Sequence, residues 1–455
     1  MVYLVAFLVA ARQFRPLLGE RGLLPVPEFI RAIPFHRSPS LFYWRYSDGI
    51  LGVVAWGGAA LATAVILGLP DGWPLLLEML VWILLWALYL SIVNVGQTFY
   101  AFGWETLLLE TGFLAIFLGP AWTVPQLPLV YLVRWLVFRV EFGAGLIKIR
   151  GDQCWRDLTC LYYHHETQPM PNPLSWYFHH LPKRLHRVEV LGNHFAQLVV
   201  PFFLFFPQPV ATLAGLVIVG TQSWLILSGN FSWLNFITIV LALFAFDDAA
   251  LSRLLPIDRA PLVADPVHQW LVIGVSAIIV LLSYRPARNL VSRRQLMNYS
   301  FDPLHLVNTY GAFGSVTKER DEVIIEGTDE AVLTPSTQWR EYPFKGKPGD
   351  VRRRPPQFAP YHLRLDWLMW FAAMSSPMYH EWFVPLLARL LEGNTATLRL
   401  LRSNPFPDAP PRFIRARLYR YRFTTPRERR ETGAWWNRTL LGDYVRPLSL
   451  RSPTR

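Results

Sequence analysis

Residues 75–95 read LLLEMLVWILLWALYLSIVNV, twenty-one residues in which Glu78 is the only charged side chain. A helix of ~20 apolar residues crosses ~30 Å of hydrocarbon, so this stretch predicts a transmembrane helix. Runs of the same character lie at 49–70, 129–149, 209–228 and 267–284. Shorter or weaker ones lie at 104–119, 190–206 and 231–246. Residues 1–11, MVYLVAFLVAA, are apolar but too short to span. No basic run precedes them, so they read as a helix stub or half-buried anchor rather than a cleaved leader. The expectation is an α-helical polytopic membrane protein with about eight to nine transmembrane helices.

Charge divides the chain. Of its 455 residues 52% are hydrophobic and 17% charged, with mean hydropathy +0.24. Residues 1–284 hold 16 Lys and Arg against 16 Asp and Glu, whereas residues 285–455 hold 28 against 16 and carry the whole formal charge of +12. This excludes one soluble domain and a disordered chain. It predicts a multi-pass membrane domain, 1–284, with an extramembrane loop at 150–189, followed by a C-terminal extramembrane α+β domain, 285–455. The basic residues are almost all Arg, 39 against 5 Lys, and with 37 Pro this matches a GC-rich, bacterial coding sequence. Six Arg in 12–48 and five Lys or Arg in 150–189 share one side, opposite loops holding only Arg253 and Arg259. The positive-inside rule alone would put the soluble mass in the cytoplasm.

Ionisable groups interrupt two of the apolar runs: Glu105 and Glu110 in 104–119, and Arg134, Arg139, Glu141 and Lys148 in 129–149. Such groups are costly at membrane depth and face a partner or a polar cavity. Glu110 with Arg134 or Arg139 is the structural reading; a cavity that binds or transforms something is the functional one. Lys148, in FGAGLIKIRGD, is either a snorkelling lysine or, in apolar surroundings, a base.

The loop GDQCWRDLTCLYYHHETQPMPNPLSWYFHHLPKRLHRVEV is too long and too aromatic for a linker. Its first part predicts a short amphipathic surface helix. TQPMPNPLSWY is expected to be extended, because Pro169, Pro171 and Pro173 forbid a helix. Six of the eleven His fall in 164–194. Their spacing matches no ligand pattern such as H-E-x-x-H, so packed histidines are expected, with no metal and no cofactor. Cys154 and Cys160, the only cysteines, would diverge on a continuous helix, being ~9 Å apart in rise. They are either buried thiols or a disulfide in a bent segment facing an oxidising compartment.

In the C-terminal part, YGAFGSVTKERDEVIIEGTDE predicts two strands and WREYPFKGKPGD a third. RLDWLMWFAAM and EWFVPLLARLLEG predict helices, the second capped by Gly393. FIRARLYRYRFTT alternates as a half-buried strand. The run Arg352, Arg353, Arg354 is a solvated turn or a contact for acidic groups. No helix-turn-helix, zinc or aromatic-basic motif is present, which argues against nucleic acid.

GDQCWRDLTCLYYHHETQPMPNPLSWYFHH (151–180), VEVLGNHFAQLVVPFFLFF (188–206), LILSGNFSWLNFITI (225–239), VNTYGAFGSVTKERDEVIIEGT (307–328), APYHLRLDWLMWFAAM (359–374) and NPFPDAPPRFIRARLYRYRFT (404–424) together resemble the lipase maturation factor family from about residue 90 onward. The resemblance implies a multi-pass membrane protein that helps lipases reach their active form. In eukaryotic relatives it implies the endoplasmic reticulum membrane, with the loop and C-terminal domain facing the lumen, opposite to the charge rule. These regions exceed the length at which that rule decides. Where the family has FKCKPGD and RRPC, this chain has Gly346 and Pro356, so a second disulfide is missing. The implied protein is a non-enzymatic maturation factor in a bacterial cytoplasmic membrane, with an exported client and membrane lipids as partners. Its client-binding or structural residues would be Asp152, Cys154, Trp155, Arg156, Asp157, Cys160, His164, His165, Glu166 and Trp176. EFGAGLIKIRGDQCW also resembles, remotely, a stretch of vitamin K-dependent gamma-carboxylase whose lysine is the catalytic base. That resemblance implies the alternative, a membrane enzyme with Lys148 as base in a pocket lined by Glu110, Arg139 and Glu141.

Overall fold

The computed structural model describes residues 1–254 and 262–450; Arg259 of the charge count lies outside them. The fold is mostly helical. Its principal helices are α1 (Val2–Leu18), α2 (Asp48–Ile66), α3 (Leu75–Asn94), α4 (Gly103–Ala115), α5 (Leu127–Arg150), α6 (Gln153–Arg156), α7 (Leu161–Thr167), α8 (Ser175–His179), α9 (Lys183–Leu198), α10 (Val210–Ser228), α11 (Leu234–Ala242), α12 (Pro266–Leu282), α13 (Arg364–Ala373) and α14 (Phe383–Leu391).

Among the described residues, four helical runs are long and apolar enough to cross a membrane: α2, α3, α10 and Pro266–Val291, which contains α12. The remaining candidates depart from that standard for physical reasons. α4 has 13 residues and α11 has 9, well short of the ~20 a crossing needs. The 190–206 run breaks at Val199, between α9 and the short helix Val200–Phe203. α5 is long, 24 residues, but carries the buried charges. The apolar start of the chain runs past residue 11. It continues through Pro16 to Leu18 as a 17-residue helix, and Ala6, Phe7, Ala10 and Phe14 are sealed in the core. Gly58 of α2 packs against the Phe7 ring, where a Cβ would meet it at 2.4 Å.

A four-stranded antiparallel sheet lies in the C-terminal part: β1 (Arg320–Thr328), β2 (Arg340–Glu341), β3 (Phe413–Phe423) and β4 (Trp436–Leu448), in the order β2-β1-β3-β4. In β1 every residue but Asp321 is buried. Asp321 and Glu326 are answered across the ladder by Arg420 and Arg415, the latter at 2.6 Å. The two-strand expectation for 310–330 gives way to one strand, because 310–314 instead caps the helices. Asp152 N–H donates to Gly314 O at 2.8 Å, and Trp155 Nε1 donates to Phe313 O at 2.7 Å. The 339–350 strand shrinks to the two residues of β2. Gly393, at φ +65°, adopts the left-handed conformation just past α14, as a helix end favours.

Candidate functional site

Loop 150–189 is folded, not trailing. Asp152 caps α6 by accepting from Cys154 N at 2.9 Å. The helix stops after Arg156, and Leu158 turns the chain at φ +59° before α7 begins at Leu161. The single amphipathic helix expected here is therefore two short ones. Between them Cys154 and Cys160 are joined as a disulfide, with Cα atoms 4.8 Å apart. The prolines keep 168–174 irregular, but α8 starts at Ser175, so the extended segment ends before SWY. Arg156 and Asp157 are exposed and bond only locally, Arg156 to Ile149 O at 2.9 Å and Asp157 to Gln153 at 2.9 Å.

The C-terminal part grips this loop from several sides. Trp155 and Trp176 are 3% and 6% exposed; Tyr162 is half-buried. Trp176 Nε1 donates to Thr424 O at 2.8 Å, and the Glu166 carboxylate accepts from Phe423 N at 2.6 Å. Arg320 is the central clamp. Its guanidinium pairs with Glu322 at 2.6 Å and donates to the carbonyls of Glu166, Gln168 and Pro169. Lys347 takes the other Glu322 oxygen at 2.8 Å. Arg354, of the basic run, donates to Pro173 O at 2.9 Å.

The charges of α4 and α5 sort into distinct arrangements. Arg139 pairs with Glu110, both fully buried. The same carboxylate accepts from Asn308 N at 3.0 Å and Tyr310 OH at 2.7 Å, so the VNTYG segment plugs the ion pair. Among the described residues Arg134 takes no acid; it donates to Phe244 O at 2.9 Å and Leu204 O at 3.0 Å. Glu105 pairs across the chain with Arg364 of α13 at 2.8 Å and accepts from Tyr89. Arg320, Glu322, Lys347 and Arg364 were not singled out from the sequence. For Glu322 and Arg364 the signal, a charge beside an apolar run, is present in DEVIIEG and RLDWLMW; Arg320 and Lys347 lie outside these stretches.

Glu141 and Lys148 face a cavity of about 1420 Å³ walled by α5, α9, α10, α11 and the 293–317 segment. Lys148 Nζ donates to Asn193 at 3.0 Å and Gln197 at 2.8 Å, and lies over the Trp155 ring at 5.1 Å. Glu141 accepts from Gln222 at 2.6 Å, which in turn accepts from Asn235 at 2.6 Å. Glu110 and Arg139 are not in the wall. The enzyme-type pocket read from the sequence therefore loses two of its three lining residues, because their charges are consumed by each other and by the VNTYG plug.

Of the loop histidines His164, His165 and His186 are buried, and His179, His180 and His194 are half-buried. Burial, with Lys148 nearby, pushes His164 down to about 3. Burial and three neighbouring imidazoles hold His165 well below the usual range. Burial, then His180 and His186, takes His179 to about 4. At neutral pH these rings are uncharged and pack against aromatics, as His164 does edge-on against Phe313 at 4.9 Å. Ligand-type atoms of His165, His186 and Glu189 lie within 4.8 Å of one another. Because they come from α7 and α9, no local sequence pattern announces them.

Opening the disulfide is expected to cost little. By the chain-entropy model a short loop is worth ~2–3 kcal/mol at best, so Cys160→Ser should lower the thermal midpoint by a few degrees. Membrane-impermeant thiol reagent should label intact cells carrying the native chain only after reduction. Labelling that needs permeabilisation but no reductant would contradict a bonded loop on an oxidising side of the membrane.

A polytopic helical block under a small sheet, with a disulfide-pinned loop clamped between them, defines a class of membrane protein. Residues 1–253 match the model described as lipase maturation factor transmembrane domain, and residues 306–446 the lipase maturation factor C-terminal domain. The chain is 45% identical to lipase maturation factor 1 of Bos taurus, over 98% of this chain and 87% of that protein. It is 45% identical to that of Homo sapiens, over 99% and 86%, and 30% identical to lipase maturation factor 2 of Homo sapiens, over 100% and 82%. No solved structure matches. The chain belongs to the lipase maturation factor family and is a membrane protein.

Proposed function

We propose that this protein is a maturation factor that helps an exported lipase reach its active form. The observation that carries this is similarity to lipase maturation factor 1 along nearly the whole of both chains. Loop 150–189 and the C-terminal sheet form the client-facing surface, with Arg156, Asp157 and the half-buried Tyr162 on its open side. Eight to nine crossings require α1 and α5 beside the four apolar spans, and α4, α9 and α11 extended by adjoining segments, because none of these three reaches ~20 residues alone. The chain divides at 284/285 into a membrane block and an extramembrane part. The two interlock through Glu105–Arg364 and the VNTYG plug. The disulfide supports the loop and sheet on an oxidising side of the membrane, and the Arg-rich, Pro-rich composition supports a bacterial cytoplasmic membrane.

The test is complementation. Cells lacking their own lipase maturation factor 1 and expressing a secreted lipase should regain active lipase in the medium when given this chain. Equal lipase protein without regained activity, from a chain that reaches the membrane, would contradict the reading.

A further inference from the structure

The 1420 Å³ cavity exceeds the ~300–1,000 Å³ of a drug-sized site, and its wall is chemically lopsided. Most of it is apolar; the cations in it are Lys148, Arg150, Arg293 and Arg294. The wall's carboxylates are already engaged: Asp152 caps Cys154, Glu141 holds Gln222, and Glu189 accepts from Trp224 Nε1 at 2.7 Å. Among the described residues Lys148 has only amide oxygens as acceptors, although it is 5% exposed. Glu141 is near enough for its charge to favour the ammonium, but the two make no direct contact, and a buried ammonium against an apolar wall gains from an anion bound to it.

The cavity also has a side opening. Gly192 of α9 and Gly220 of α10 both line it, and a Cβ on either would meet nothing within 4 Å. Around them Leu185, Val188, Phe195 and Trp224 are exposed apolar side chains. Gly220 sits mid-way along an apolar span, so the opening lies at bilayer depth.

We infer that the cavity holds one anionic phospholipid from the surrounding bilayer. It enters between α9 and α10, with its phosphate at the Lys148–Arg150–Arg293–Arg294 end and its acyl chains along the apolar wall. Several cations at one end suit a phosphate, and the size suits two chains better than one.

The test uses the full chain in detergent with photoactivatable lipids of identical acyl chains. Phosphatidylglycerol should label the protein about tenfold more than phosphatidylcholine, the equivalent of ~1.4 kcal/mol, and more than oleate. Lys148→Met should remove most of that preference. Because that variant touches the core, two others carry the test independently: Gly192→Trp and Gly220→Trp should block labelling. Gly274→Trp, on α12 with equally open space but outside the cavity wall, should leave it intact. Equal labelling by the two phospholipids, stronger labelling by oleate, or labelling indifferent to both blocking tryptophans would overturn the inference.

Discussion

Arg320→Leu is expected to be among the most damaging single substitutions in the protein. The side chain is fully buried, pairs with Glu322 and holds three carbonyls of loop 150–189. Removing one partner of a buried pair typically costs ~3–5 kcal/mol, because the other charge stays behind. Here Lys347 still faces Glu322, so that charge keeps a partner, while the Glu166, Gln168 and Pro169 carbonyls lose their donor. Two readouts follow: a lower thermal midpoint, and loss of lipase rescue out of proportion to the remaining protein, because the loop comes off the sheet. An unchanged midpoint with full rescue would show that the clamp does not matter.

Arg139→Leu ranks with it. It leaves Glu110 in the helical block with only Tyr310 and Asn308 as donors, again at ~3–5 kcal/mol. The double change Glu110→Leu with Arg139→Leu should be more stable than either single one, since replacing both members of a buried pair is often neutral. Thermal midpoints of the three variants check this. If Arg139→Leu kept its yield and stability but abolished rescue, the pair would serve function rather than structure.

Much of this architecture was legible because hydrophobic periodicity is a local signal. The apolar runs of the sequence became helical, 190–206 as two pieces broken at Val199, and FIRARLYRYRF became a strand of eleven residues. Chain-distant partners were not legible. Glu105 finds Arg364, 259 positions on, and Arg320 closes on a loop some 150 residues before it; no spacing rule reaches that far. Residues 310–314 look like a strand by composition, but tertiary bonds to Asp152 and Trp155 take their carbonyls. β4 passed unread, because exposed residues dominate its pattern and Gly442 interrupts it. The cysteine pair was undecidable from spacing alone, since pairing depends on the turn at Leu158.

Deleting residues 285–455 would not isolate the client-facing surface, because it strips Glu105 and Glu110 of buried partners. A more direct measurement places a photo-crosslinking residue at Arg156 or Asp157, exposed on the loop, and at Val280, exposed on the apolar α12. In cells where the chain rescues a lipase, the two loop positions should crosslink to that lipase before it becomes active, and Val280 should not. Crosslinks to the lipase from Val280 alone, or from none of the three while rescue proceeds, would contradict a client surface built from the clamped loop.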